Sequence, residues 1–118
     1  MNKRKVGSRN ENLAVKYLES KGYRILDRNY YSRYGELDIV AEKDGTVVIV
    51  EVRSLSKQDF GSPEESLNIR KVSKILKTAQ HYLYEKNLFD KTVRFDVIAI
   101  TKDGINHIEN AFTEDFLC

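Results

Sequence analysis

Two acids and an arginine, Asp38, Glu51 and Arg53, form the strongest chemical pattern in the sequence. They lie in two runs, ELDIVAE at 36–42 and TVVIVEVR at 46–53, separated by Asp44-Gly45. That dipeptide favours a two-residue hairpin turn. The turn fixes the pairing, placing Val47 opposite Glu42, Ile49 opposite Val40, Glu51 opposite Asp38 and Arg53 opposite Glu36. The other face would carry Leu37, Ile39, Ala41, Val48, Val50 and Val52, all apolar. A slip of one residue would destroy this division, so the register is strongly specified. Asp38 and Glu51 are thus expected on one face with Cβ atoms about 5 Å apart. Like charges so placed repel, and the apolar neighbours Val40, Val47 and Ile49 strengthen the repulsion. Two arrangements relieve it. A divalent cation such as Mg²⁺ or Mn²⁺ prefers hard carboxylate oxygens. Alternatively, Arg53 and a neighbouring lysine neutralise the pair in an ion-pair patch without function, a role that suits Arg53 opposite Glu36.

The cation reading leads to phosphodiester chemistry, because such an ion polarises a phosphate and acidifies a bound water. Asp38 and Glu51 would then be direct ligands, and Glu11 would bind directly or through water. Arg53 projects from the same face and would stabilise charge on the phosphate. It stays protonated and is a poor general base. Glu11 has a competing role, since Ser8 followed by Glu11 forms a capping box at a helix start. Both roles stand open. Asp96 lies between Phe95 and Val97 on an expected interior strand and needs a partner there. It would either orient a basic residue or close the fold electrostatically.

The charge distribution points to a polyanion. Residues 1–33 hold nine Lys/Arg against three acids, a local +6, while residues 34–118 hold eleven against fifteen, a local −4. A basic region beside an acidic site suits nucleic acid; a solvated surface is the plainer alternative. Arg70, Lys74 and Lys77 fall on one helical stripe with Lys71 beside them. That stripe would track phosphates or simply be the solvent side of an amphipathic helix. Arg28 and Arg33, near Tyr30, Tyr31 and Tyr34, offer phosphate and stacking groups, or else the tyrosines pack a sheet edge. Gln80 and His81 occupy the next turn of the helix. His81 reads as a phosphate or metal contact or as an ordinary helix histidine; His107 carries no signal.

The elements that must position these groups fit one domain of 118 residues, 1–118. With 41% apolar and 32% charged residues and one Pro, the chain is neither disordered nor collagenous. The one Cys, Cys118, excludes an intrachain disulfide. No apolar run reaches membrane-spanning length and the N-terminus has no signal-peptide core, so a cytoplasmic protein without membrane contact is expected. Ser8 as cap and Gly22 as stop bound a first helix at 8–21. Strands follow at 23–31, 36–42 and 46–53. A second helical region opens at Ser62-Pro63-Glu64-Glu65, breaks and restarts at Asn68, and ends near Asn87. Strands at 93–101 and 105–109, turning at Asp103-Gly104, complete the chain. The helix supplies a crossover, so the third and fourth strands should be parallel in a mixed sheet flanked by helices.

The run YGELDIVAEKDGTVVIVEVRS, then FGSPEE, KTAQHYL and RFDVIAI, with Gly7-Ser8 and Glu11 ahead of them, resembles the YraN-like family, uncharacterised protein family 0102. That family in turn resembles the restriction-endonuclease-like PD-(D/E)xK nucleases and particularly the archaeal Holliday-junction resolvases. The resemblance implies an αβββαβ core with a short C-terminal strand added. It also implies an acid on the second strand at Asp38, one on the third at Glu51, the helix-one glutamate at Glu11, the helix glutamine at Gln80 and a strand aspartate at Asp96. The usual lysine falls on Arg53, a bulkier fork in place of a compact charge. Lys57 and Lys71 are the spatial substitutes to look for.

Three functions follow from these residues. The first is a Mg²⁺- or Mn²⁺-dependent nuclease or nuclease-like protein acting on DNA, including branched or damaged forms. The second is a DNA-binding module that does not cut, and the third a structural or protein-interaction domain. Cutting both strands of a duplex would need two sites, which makes a symmetric homodimer one expected assembly.

Overall fold

A computed structural model describes residues 3–54 and 68–113, with side chains from Arg9 onward. The chain order is α1 (Lys3–Ser20), β1 (Arg24–Ser32), β2 (Gly35–Lys43), β3 (Thr46–Ser54), α2 (Ile69–Glu85), β4 (Thr92–Thr101) and β5 (Gly104–Ile108). The strands form one sheet in the order β1-β2-β3-β4-β5. β3 and β4 are parallel and the other three pairs antiparallel, the mixed α/β architecture of a restriction-endonuclease-like core.

Local sequence explains most of the boundaries. Asp44 (φ 51°) and Gly45 (φ 81°) are both left-handed, the backbone of the tight hairpin turn whose twist suits two antiparallel strands. Asn68 caps α2 by accepting the Lys71 amide on its side chain at 2.9 Å. The expected opening at Ser62-Pro63 lies outside the described residues. Both helices end alike. Gly22 and Asn87 adopt positive φ, and the amides of Tyr23 and Leu88 reach back to the carbonyls of Leu18 and Leu83 at 3.0 and 2.7 Å. The start of α1 differs from expectation. Lys3 opens the helix, so Ser8 stands within it and cannot be its cap, and the capping-box role of Glu11 lapses. A run of basic and polar residues carries the helix upstream without any apolar period to announce it.

The helices cover opposite faces of the sheet. Ala14 and Leu18 of α1 pack with Tyr23, Ile39, Ala41, Val48, Val50 and Ile98. Val72, Ile75, Ala79 and Tyr82 of α2 pack with Val40, Val47, Ile49, Val97 and Phe112. Leu37 departs from the expected alternation and joins the α2 side. Its displacement accompanies the feature on which the site depends. The β2–β3 register runs as expected from Lys43↔Thr46 to Ile39↔Val50 and goes no further. Beyond it Glu36 and Leu37 pair only with β1, while Glu51 to Ser54 pair only with β4. The two strands part there.

Candidate functional site

Asp38 sits at the parting of β2 and β3. Its Oδ2 accepts the backbone amide of Val52 at 2.9 Å, so a carboxylate serves a strand donor beyond the end of the ladder. Asp38 and Glu51 are therefore not a ladder pair, and neither are Glu36 and Arg53. All four nevertheless line one cleft of about 350 Å³, closed on its far side by Lys71, Lys74 and Ile75 of α2. Gly35 lets the helix come this close. A Cβ there would stand 3.2 Å from Thr78 Oγ1, and its φ of 152° is one that side chains disfavour.

The electrostatics are those of carboxylates held together out of water. Glu51 is 5% exposed, and its Oε1 has no hydrogen-bond partner among the described residues. Burial pushes its carboxyl well above the usual range. The charge of Asp38 and a hydrogen bond shared with it push the same way, against Lys71 and Arg53. Glu36 is raised by burial and then by Asp38, partly offset by a hydrogen bond from Tyr31. Glu11 reaches the same field from α1. Its carboxyl is raised by burial, then by Asp38 and Glu36, and lowered by Arg28, while its buried Oε1 is also unpartnered among the described residues. Glu36 is a fourth acid that the hairpin pattern already placed on the face of Asp38, concealed by the expected pairing with Arg53.

The orphaned oxygens and hard donors suit a divalent cation. Among the described residues, however, no three His, Cys, Asp or Glu side chains converge as a metal-holding group. Asp38 and Glu51 are the residues placed to hold one, with Glu11 nearby. Lys71 lines the cleft together with Arg53; Lys57 lies outside the described residues.

Other expected residues disperse. Gln80 is six residues from Lys74, about 240° around the helix, and stands outside the carboxylate cleft. It lines two neighbouring clefts, both of which include Lys77. Arg28 turns toward α1, donating to Asn12 Oδ1 at 2.7 Å. Arg33 lies over the Tyr34 ring at 4.9 Å and donates to its hydroxyl. Arg70 is exposed in the first turn of α2, beside the cleft-lining Lys71. Asp96 lies away from the cleft, on the α1 side with Val50, its parallel partner. It accepts from Arg94 through both oxygens at 2.9 Å, from the Asn110 amide at 2.9 Å, and pairs with His107 at 2.7 Å. His107 in turn meets the Tyr17 hydroxyl at 3.1 Å. Sequence analysis assigned His107 no role, although the turn at Asp103-Gly104 already brought its strand back beside that of Asp96.

The mixed sheet between helices is the α/β core of a restriction-endonuclease-like protein, and the chain is related to the PD-(D/E)xK superfamily. Residues 10–100 match the model of Uncharacterised protein family UPF0102, and the chain belongs to that family. Similar relatives include UPF0102 proteins of Persephonella marina, 54% identical over 93% of this chain and 95% of the relative, and of Sulfurihydrogenibium, 49% identical over 96% and 98%. The UPF0102 protein of Clostridioides difficile is 43% identical over 95% of this chain and the whole of the relative. Among the described residues no helix is long and apolar enough to cross a membrane.

Proposed function

We propose that this protein is a nuclease-like nucleic-acid-binding protein that holds DNA phosphates along α2, beside a carboxylate site for Mg²⁺ or Mn²⁺. The observation that carries the reading is the joining, in one cleft, of the buried Glu51 carboxyl, whose Oε1 has no partner among the described residues, with Lys71 and Lys74. Phosphates approaching these lysines would also meet repulsion from Asp38, Glu36 and Glu51, so a cation on the acids would strengthen binding. When bound there, the ion would supply Lewis-acid polarisation of a phosphate and acidification of water. Asp38, anchored to the Val52 amide, would orient the site; Arg53 and Lys71 would neutralise phosphate charge.

Binding without cleavage is the reading best supported, because Arg53 replaces a compact ammonium. Hydrolysis is the second reading, favoured by Lys71 standing close enough to Glu51 to lower its carboxyl. Fluorescence anisotropy with single-stranded, duplex and four-way-junction DNA tests the first. Salt-dependent binding is expected, strengthened by Mg²⁺ in the native protein and not in Glu51→Gln, with a shallower salt slope in Lys74→Ala. Failure to bind any of these DNAs at low salt overturns it. Mn²⁺-dependent nicking that Lys71→Ala and Asp38→Asn both abolish would establish the second reading in its place.

A further inference from the structure

Next to the carboxylate cleft, α2 and the β1–β2 turn enclose a second recess of about 380 Å³, lined by Tyr34, Lys77, Gln80, His81 and Tyr84. The two are neighbours through the chain: Gly35 of the first adjoins Tyr34 of the second, and Lys74 lies one helical turn before Lys77. The recess is unusually aromatic for an exposed surface. Tyr84 is 65% exposed and stacks on Phe89, itself 61% exposed, with centroids 5.3 Å apart and planes at 20°. His81 meets the Tyr34 ring edge-on at 6.0 Å. The nearby acid, Glu85, is already engaged by His81 at 3.2 Å and by the Tyr30 hydroxyl at 2.9 Å.

Aromatic rings set among cations on an exposed surface suit a flat, neutral ring attached to an anion. A cationic ligand is disfavoured by Lys77 and by Arg33, whose guanidinium already lies over Tyr34. Base pairs within a duplex present only their edges, so they cannot use the ring faces; an unpaired base can. We infer that this recess receives one unpaired nucleobase of DNA, stacked against Tyr84 and Tyr34, with Gln80 facing its edge and the adjoining phosphates on Lys77 and Lys74. The inference rests on the nucleic-acid reading above and deepens it. The preferred substrate has a single-stranded tail or an extruded base immediately beside the carboxylates.

The test is anisotropy in EDTA, at fixed salt, with a blunt duplex, the same duplex carrying a single-stranded tail, and a single strand of equal length. The tailed duplex should bind about tenfold more tightly than the blunt one. Tyr84→Ala and Tyr34→Ala should each weaken the tailed duplex by roughly 5- to 10-fold, down toward the blunt duplex, and leave the blunt duplex unchanged. Tyr84→Phe and Tyr34→Phe should restore binding, and circular dichroism checks the fold of each variant. A 2-aminopurine at the unpaired position should be quenched by the native protein and not by the alanine variants. Equal affinity for tailed and blunt DNA, or alanine variants that weaken both alike, would overturn the inference while leaving nucleic-acid binding in place. Absence of binding to all three probes at low salt would overturn the nucleic-acid reading and this inference with it.

Discussion

Glu51 and Asp96 are buried acids on neighbouring strands of the same sheet, facing opposite helices, and their surroundings treat them in opposite ways. Asp96 is 0% exposed and saturated by Arg94, His107 and the Asn110 amide. Burial alone would raise its carboxyl, but the His107 and Arg94 hydrogen bonds, the Asn110 amide and the Arg94 charge outweigh it and hold the group below its ordinary value. Glu51 meets more carboxylates instead and is pushed up. A buried charge that is fully hydrogen-bonded serves the fold. One left beside like charges detracts from it.

The largest expected effect is on the saturated side. Asp96→Ala strands Arg94 and His107 and should cost about 3–5 kcal/mol in urea denaturation. Loss below 1 kcal/mol would show the network to be incidental. Glu51→Gln should act with the opposite sign, stabilising the metal-free protein by about 0.5–2 kcal/mol. It should also abolish any rise in Tm on adding Mn²⁺. A destabilised Glu51→Gln protein would break the contrast.

The pH dependence sharpens it further. The raised folded pKa of Glu51 means that the native state holds this proton more tightly than the unfolded chain. Its contribution is full below the ordinary value of 4.5 and declines as pH climbs through the folded pKa. Asp96, lowered from 3.8, contributes fully above that value and loses its contribution as pH falls through the folded pKa. Denaturation in EDTA across pH should therefore show Glu51→Gln flattening the decline on the alkaline side and Asp96→Asn the decline on the acid side. The smallest effect is expected from Asn68→Ala, which removes the cap of the helix carrying Lys71 and Lys74. A loss of about 1 kcal/mol, without change in the pH profile, would show that the cleft's acids and its helix contribute separately.

Sequence alone reached the hairpin register because the Asp44-Gly45 turn set it and every acid of the hairpin but Asp44 then fell on one face, leaving the other apolar, and the structure keeps the pairs from Ile39↔Val50 to Lys43↔Thr46. It placed Asp38, Glu51 and Arg53 together for the same reason. It misplaced Leu37 and the Asp38–Glu51 pairing because local alternation carries no notice of where two strands separate. The parallel β3–β4 pair was legible from the length of the intervening helix. Gln80 was assigned by family resemblance, and helical periodicity would have turned it away from Lys74. The Asp96 partners are distant in sequence except Arg94, so only the need for a partner was visible.

The hydrogen bond from Val52 to Asp38 has a mechanical consequence. With Oδ2 accepting that amide, an ion held by Asp38 would be fastened through it to the backbones of both β2 and β3. An ion shared between Asp38 and Glu51 would act as a rivet where the strands fork, stiffening the open end of the hairpin. Slower hydrogen–deuterium exchange of the Val52 amide would then report occupancy directly, without any DNA present.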